Sequence, residues 1–348
     1  MGEAHRSVQQ SCLRSAQIES GSICYKVEIR QGIPCAEELT ADLRKLQASR
    51  RKTMALKTIG ILSPGDMGHS VGHVLRIHGL RVITCLQGRS ERTRALANRS
   101  QIEDVATYEG LVNEADMILS ILVPAQAHQA AETVAQAIAE TRAEVIYADC
   151  NAIAPQTTCL IGQMITEAGA GFVDASIIGS PPRGDGKTYF YASGPHVSAF
   201  KQLHQFGLDV VVVGERIGQA SAMKMCYAAL TKGLTALCTE LLTAAETLGI
   251  SEALRQQFQQ SQARLYELMV QRVPGMPMKS RRWIGEMEEI AKTFEHVGLT
   301  PKILTGAADL YRFVAATDLA DRTPEDTDPV PSLTQVVSTL ASYLPDRH

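Results

Sequence analysis

The sequence predicts an α/β fold in which a doubly wound, largely parallel sheet is followed by an all-α C-terminal domain. Short apolar runs alternate with helical stretches from Lys57 to Gly214, and no strand pattern follows that glycine. We therefore place the first domain at residues 55–212 and the second at 213–348. Residues 1–54 show no sustained period, which predicts a poorly ordered N-terminal extension. A mitochondrial transit peptide is the alternative, and the acidic residues of this segment count against it.

The elements follow in order along the chain. Seven apolar runs of strand length predict the sheet: 58–62, 81–86, 117–123, 144–148, 171–175, 188–192 and 209–213. Glycine and proline divide the rest into helices, with breaks at Gly249 and at 274–277, 298–301 and 322–331. The junction at 213–218 places the first residues of a long helix against the carboxyl ends of the strands. We expect a ligand cleft there.

The composition favours a small-molecule substrate. In 348 residues, 34 Lys and Arg oppose 37 Asp and Glu, and a net charge of −3 gives no reason to bind nucleic acid or an anionic membrane. The apolar stretches are too short to span a bilayer. The eight cysteines form no C-x-x-C pair, which is typical of free thiols in a cytoplasmic protein. We predict no metal site and take His69, His73 and His78 as surface imidazoles.

A glycine-containing loop lies between the first predicted strand and the first helix, as in a Rossmann-type dinucleotide-binding domain. Gly65 would let the backbone approach a pyrophosphate, and Gly68 would let the helix pack closely on the strand. Ser63 stands at the first glycine position of the G-x-G-x-x-G pattern, so an ordinary strand-to-helix turn is the alternative. The predicted cofactor contacts are Ser63, Pro64, Gly65, Asp66, Met67 and Gly68.

The end of the second strand predicts which cofactor binds. Leu86 is followed by Gln-Gly-Arg-Ser, without the carboxylate that NAD sites offer to the ribose hydroxyls. The guanidinium of Arg89 and the hydroxyl of Ser90 suit the 2′-phosphate of NADP instead. We therefore expect NADPH to be preferred over NADH, with a solvated surface arginine as the alternative.

Lys224 is the only charged residue between Arg216 and Lys232, on a helix that is apolar nearly all round. Such a helix is buried, so the ammonium either reaches water at an edge or ends in a water-poor pocket. Partial burial lowers the pKa of a lysine toward neutrality, which suits a proton donor to a developing alkoxide. We predict Lys224 as general acid and base and Tyr227 as a second proton carrier. The alternatives are a lysine at the edge of the core and a tyrosine that belongs to the core.

Two runs carry a family resemblance: Ser-Pro-Gly-Asp-Met-Gly at 63–68, and Ala-Ser-Ala-Met-Lys-Met-Cys-Tyr-Ala-Ala-Leu-Thr-Lys-Gly ending at Gly233. Over residues 55–320 the chain resembles the β-hydroxyacid dehydrogenase superfamily, which includes 6-phosphogluconate and 3-hydroxyisobutyrate dehydrogenases. It looks most like a little-characterised phosphogluconate-dehydrogenase-like branch with its own C-terminal helical domain. The resemblance implies an NAD(P)-dependent oxidoreductase, a homodimer, and Lys224 at the catalytic lysine position.

The resemblance also implies further contacts. Val123 and Pro124 match the loop after the fourth strand that lies against the cofactor, and Asn151 stands where the family has a serine. The family's substrate-contacting serine is replaced by Ile178, and its asparagine after the lysine by Ala228. The predicted substrate contacts are Ser176, Ile178, Gly179 and Arg183, the last of which is equally well explained as a loop arginine.

The leading hypothesis is an NADP-dependent dehydrogenase or reductase that acts on a carbonyl/alcohol pair. Imine reduction is an alternative, because polar contacts are missing and because Glu286, Glu288 and Glu289 could form an acidic wall that suits an amine or iminium. A non-catalytic NADP-binding sensor or scaffold is the third hypothesis, since a fold does not establish an activity.

Overall fold

The computed structural model describes residues 18–19, 22–23, 55–183, 187–322, 326 and 329–345. The chain divides into two units, Met1–Met54 and Ala55–His348. In the first unit, the two-residue strands Ile18–Glu19 and Ser22–Ile23 pair antiparallel. The prediction of a poorly ordered extension at 1–54 otherwise lies outside the described residues.

The second unit contains an eight-stranded sheet in the order β8-β7-β6-β5-β4-β1-β2-β3. Neighbouring strands are parallel except for the antiparallel pair β6 and β7. This arrangement confirms the largely parallel sheet. The strands are β1 Thr58–Leu62, β2 Arg81–Thr84, β3 Glu103–Asp104, β4 Met117–Ser120, β5 Ile146–Asp149, β6 Gly171–Gly179, β7 Thr188–Ser193 and β8 Asp209–Gly214.

Helices connect these strands and cover both faces of the sheet. Successive residues of β4 point to opposite faces, so that Met117 and Leu119 join one buried apolar cluster and Ile118 joins another. The helices of this part are α1 Asp66–Ile77, α2 Glu91–Arg99, α3 Tyr108–Glu114, α4 Pro124–Thr141, α5 Pro155–Glu167 and α6 Val197–Lys201, the last followed by the 3₁₀ helix Gln202–Phe206.

Only helices follow β8 among the described residues, which confirms the all-α part. They pack around a third apolar cluster that includes Met225 of the long helix α7 and Tyr311. They are α7 Gln219–Thr247, α8 Ser251–Ser261, α9 Ala263–Arg272, α10 Pro277–His296, α11 Lys302–Ala315, the 3₁₀ helix Asp318–Ala320 and α12 Leu333–Ser342. None of the described helices is both long enough and apolar enough to cross a bilayer.

Sequence patterns found seven of the eight strands and missed two features. β3 has only two residues, both exposed, so no apolar run marks it. The break between α8 and α9 falls at Gln262, with neither glycine nor proline to signal it.

Candidate active site

The predicted cofactor loop joins the end of β1 to the start of α1. Ser63 adopts a left-handed backbone conformation (φ 58°), which a glycine would adopt at lower cost, as in the pattern that this serine interrupts. A Cβ on Gly68 would lie 2.9 Å from the Ser63 carbonyl oxygen, so only glycine lets the helix start so close to the strand. Gly65 occupies the N-cap position, and no side chain caps the helix. The N–H groups of the first turn are therefore available to an anion such as a pyrophosphate.

Two guanidinium groups lie at the end of β2. Arg89 donates from Nη2 to the hydroxyl of Tyr108 (3.3 Å), while its buried Nε has no hydrogen-bond partner. Arg94 donates from Nη2 to the carbonyl oxygen of Leu86 (2.6 Å). An unpartnered buried donor beside a second cation suits a phosphate. Sequence reasoning missed Arg94, although it lies in the first turns of the helix that follows Arg89.

Other polar groups near the end of β2 are already engaged. The Ser90 hydroxyl caps α2 by accepting from the backbone N–H of Thr93 (3.3 Å). One oxygen of Asp104 accepts from the backbone N–H groups of Leu86 (3.0 Å) and Ala106 (3.1 Å). This carboxylate therefore holds the end of β2 through backbone hydrogen bonds.

Asn151 connects the loops that follow β4 and β5. Its Oδ1 accepts from the backbone N–H of Leu122 (2.5 Å), and its Nδ2 donates to the Ser120 hydroxyl (2.9 Å). The side chain is buried and has used both ends of its amide. It thereby fixes the segment that leads to Val123 and Pro124, which begin α4. Asn151 thus stabilises the conformation of this loop through buried hydrogen bonds.

Lys224 lies near the start of α7 and reaches the end of β6. Its Nζ donates to the carbonyl oxygen of Ile177 (2.6 Å). Burial lowers the pKa of this lysine to about 8. The predicted substrate segment continues from this point through Ile178 to Gly179. Gly179 has a φ of 136°, and a Cβ built on it would lie 2.5 Å from the Lys187 carbonyl oxygen, so only glycine fits here. The structure therefore places the Lys224 amine at Ile177, one residue before the predicted contact Ile178.

The start of α7 is held by Asp174, a buried residue of β6 that sequence reasoning did not single out. Its carboxylate accepts five hydrogen bonds: from the hydroxyls of Ser193 and Ser221 and from the backbone N–H groups of Gly218, Ala220 and Ser221. The predicted substrate contact Ser176 adds a further tie, because its hydroxyl donates to the Ala220 carbonyl oxygen (2.9 Å). The sheet and the start of α7, the helix that carries Lys224, are thus joined by buried hydrogen bonds.

The expected acidic wall on α10 is wrong, because each of its carboxylates has a cationic partner. Glu286 forms ion pairs with the buried Lys232 and with Arg282. Glu288 pairs with Arg312, and Glu289 pairs with Lys292. These cations come from helical neighbours and from distant segments, so the run of glutamates could not reveal them.

Instead, α10 crosses the carboxyl ends of the strands. Glu289 accepts from the backbone N–H of Ala154 at the start of α5 (2.8 Å). Four residues earlier, Gly285 approaches Pro124, and a Cβ on the glycine would lie 4.0 Å from that of the proline. α10 therefore packs against the loops that follow β4 and β5.

The charged groups around Lys224 are mainly cationic. The pKa of Lys224 is lowered mainly by burial, then by Lys232, whereas Glu286 raises it and Arg282 lowers it. Burial also lowers the pKa of Lys279, one turn before Arg282 on α10. Two cations, Lys232 and Arg282, and one carboxylate, Glu286, therefore act on Lys224, while Asp66 offsets part of the charge at Lys279. Together with the lysine itself, the cations outnumber the carboxylate, which favours an anionic ligand.

Two predicted residues lie away from the Lys224 amine. Tyr227 is 48% exposed and lies on the outer face of α7. Arg183 lies against the first turns of α1, where its side chain contacts Asp66, His69 and Ser70. The expectation that His69 is a surface imidazole is wrong, because the residue is only 5% exposed.

Comparisons with known proteins support a nucleotide-binding assignment. Residues 58–206 match the NAD binding domain of 6-phosphogluconate dehydrogenase, and residues 245–314 match a domain of unknown function, DUF1932. A protein of Methanothermus fervidus, described as an uncharacterized 28.5 kDa protein in the 7S RNA 5′ region, is 28% identical over 257 residues, which cover 74% of this chain and 98% of that protein.

Solved structures share the fold. A conserved protein of unknown function, described as structurally similar to 3-hydroxyacid dehydrogenases, is 28% identical with a TM-score of 0.58, and the match covers 74% of this chain and 97% of that one. The 3-hydroxyisobutyrate dehydrogenase of Mycobacterium tuberculosis, solved with L-serine, is 17% identical with a TM-score of 0.61, and the match covers 82% and 99% of the two chains.

Proposed function

We propose that this chain transfers hydride between NADP and a small carbonyl or alcohol substrate. It is an NAD(P)-dependent oxidoreductase of the 3-hydroxyacid dehydrogenase type, with the NAD-binding domain of 6-phosphogluconate dehydrogenase. The observation that carries the proposal is the place of Lys224, whose buried amine donates to the carbonyl oxygen of Ile177 near the end of β6. When bound, the nicotinamide supplies or accepts the hydride.

Lys224 acts as the general acid and base. In the direction of reduction, its ammonium donates a proton to the carbonyl oxygen as negative charge develops there; in oxidation, the neutral amine removes the proton of the alcohol. A pKa of about 8 keeps both forms accessible near neutral pH. Tyr227 was the second candidate proton carrier, but its position on the outer face of α7, away from the Lys224 amine, gives it no such role in this proposal.

The cofactor residues follow from the two loops. The uncapped first turn of α1, with Gly65 at its N-cap, would hold the pyrophosphate. Arg89 and Arg94 would bind the 2′-phosphate of NADP, with the Ser90 hydroxyl at the edge of this site. Val123 and Pro124 would lie against the nicotinamide, on a loop held in place by Asn151.

The preference for NADP is tested by fluorescence titration with NADPH and with NADH. We expect the wild type to bind NADPH more tightly, and we expect Arg89→Ala to remove most of that preference while leaving NADH affinity nearly unchanged. Equal affinities for both cofactors in the wild type would contradict the assignment.

The charges of the cleft favour an anionic substrate, such as a hydroxy or oxo acid, over an amine or iminium. Lys232 and Arg282 act on Lys224 as positive charges, and Glu286, the carboxylate that acts on it, is already paired with both. The imine reductase alternative thereby loses the acidic wall, one of the two observations on which it rested, and keeps the missing polar contacts at Ile178 and Ala228. A screen of oxo acids, other carbonyl compounds and cyclic imines with NADPH tests the proposal: turnover of imines alone would contradict it. No turnover with any class, together with NADPH binding, would favour the sensor or scaffold.

An exposed apolar stripe on α7 supports a homodimer. Tyr227, Leu230 and Leu237 are 48%, 67% and 56% exposed, and the half-buried Leu234 and Leu241 continue the same line. These five residues, the α7 stripe, follow alternating spacings of three and four, which place them on one helix face and are typical of helix–helix contacts. We propose that a second copy of the chain covers this stripe. A cytoplasmic location and a domain boundary between residues 212 and 213 remain part of the same proposal.

A further inference from the structure

Arg183 lies across the first turn of the cofactor helix α1. Its Nη2 donates to the Asp66 carboxylate (2.6 Å) and to the Asp66 carbonyl oxygen (3.0 Å). Its Nε donates to the hydroxyl of Ser70 (2.8 Å), one turn further along. Because Arg183 follows Gly179 at the end of β6 by only four residues, it joins the predicted substrate strand to the cofactor loop.

The same guanidinium contacts a buried imidazole. Nη2 of Arg183 lies 3.2 Å from Nε2 of His69, and Nδ1 of His69 lies 2.6 Å from the carbonyl oxygen of Gly65. A carbonyl oxygen only accepts, so Nδ1 carries the proton; a guanidinium only donates, so Nε2 accepts. His69 is therefore neutral. Its two ring nitrogens connect the Arg183 guanidinium to Gly65, the N-cap residue of α1.

We propose that Arg183 and His69 form a latch that holds the Gly65 loop in the conformation that binds the cofactor and ties this loop to the end of the substrate strand. The inference rests on the proposed cofactor site at Gly65. Arg183 is a positioning residue in this account, and its ion pair also neutralises Asp66, whose carboxylate would otherwise repel a phosphate at the same helix start.

The latch depends on the protonation state of His69. The charged groups that act on this imidazole are Arg183, Arg99 at the end of α2, and Asp66. Burial lowers the pKa of His69 below its ordinary value of 6.5; the Gly65 hydrogen bond and Asp66 act against this, and Arg183 and Arg99 add to it. In acid, a proton on Nε2 removes the acceptor and places two cations in contact, so the latch opens.

Binding of NADPH to latch variants tests the proposal. We expect Arg183→Ala and His69→Gln each to weaken NADPH binding about tenfold, the loss that corresponds to about one hydrogen bond to a charged group. The double variant should bind no more weakly than the worse single variant, because both remove the same contact. Arg255→Ala is the matched control, since Arg255 is also an exposed arginine paired with a carboxylate, Glu252, but lies on α8.

Two readouts separate a latch from a general loss of structure. Relative to His69→Gln, the wild type should lose NADPH affinity in acid, below the ordinary histidine pKa of 6.5, because titration of the cofactor's own phosphate affects both proteins alike. Nitrogen NMR of the histidine-labelled protein without cofactor should show the Nδ1–H tautomer of His69, with an Nε2 signal that changes in Arg183→Ala.

An Nε2–H tautomer, or an NADPH affinity of Arg183→Ala equal to that of Arg255→Ala, would overturn the latch while leaving the cofactor site intact. Failure of the wild type to bind NADPH or NADH would overturn the proposed function instead.

Discussion

The carboxylate of Asp174 accepts hydrogen bonds from both the hydroxyl (2.6 Å) and the backbone N–H (3.2 Å) of Ser221. Lys224 lies three residues after that serine, one turn further along α7. The side chain that starts the helix thus also sets the position of the proposed acid and base. One buried carboxylate thus holds the start of α7 against the sheet.

Asp174→Asn should destabilise the protein and reduce turnover together. An amide oxygen accepts fewer hydrogen bonds than a carboxylate, and its N–H₂ group would face donors, so we expect the free energy of unfolding to fall by about 2 kcal/mol or more. Urea denaturation measures this fall. Asp309→Asn, at an exposed carboxylate of α11, is the control, and an equal effect of the two substitutions would contradict the role of Asp174.

The pH dependence of kcat/KM should have opposite slopes in the two reaction directions. Reduction needs the Lys224 ammonium, so its rate should fall as the pH rises through about 8; oxidation needs the neutral amine, so its rate should rise over the same range. Initial rates from pH 6 to pH 10 measure both profiles. Two parallel profiles would rule out a single group that acts as acid in one direction and base in the other.

Glu286→Gln should have two effects. It leaves the buried Lys232 without a carboxylate, which we expect to cost about 3 kcal/mol of stability. It also removes a negative charge that raises the pKa of Lys224, so the alkaline limb of reduction should move to lower pH. Glu288→Gln, at the more exposed pair with Arg312, should change stability by no more than about 0.5 kcal/mol. An unshifted limb in Glu286→Gln would show that the two groups do not interact.

Leu230→Glu on the α7 stripe should convert a dimer into monomers, because a buried carboxylate at the contact has no partner. Sedimentation of the wild type and the variant at equal concentration measures the change. Ile303→Glu is the control: Ile303 is also a largely exposed aliphatic residue, but it lies on α11, outside the stripe. A wild type that is already monomeric, or a variant that still forms dimers, would contradict the proposed interface.

The parts of the fold that the sequence predicts are those with local signals. β1 was found at its observed bounds because its apolar run is flanked by a charged residue and a proline loop. Lys224 was found because no other charge lies near it on the helix. Its partner, the Ile177 carbonyl oxygen, belongs to the segment that the family resemblance marked for the substrate.

The parts that could not be predicted depend on contacts between distant segments. Arg183 and His69 are separated by 114 residues, and Glu289 and Ala154 by 135, so no helical or strand period relates them. Whether a glutamate of α10 faces a ligand or caps a helix depends on how α10 packs on α5. The spacing of the glutamates in the sequence carries no information about that packing. For that reason the sequence predicted an acidic wall from Glu286, Glu288 and Glu289, whereas in the structure all three form ion pairs.

The role of Lys224 is the central claim, and turnover by Lys224→Met at saturating NADPH tests it most directly. Methionine retains the length and apolar contacts of the lysine stem but cannot carry a proton. We expect turnover to fall at least a hundredfold, as typically results from loss of a general acid, while NADPH affinity stays within about twofold of the wild type. A variant that reduces the substrate at the wild-type rate would contradict the mechanism.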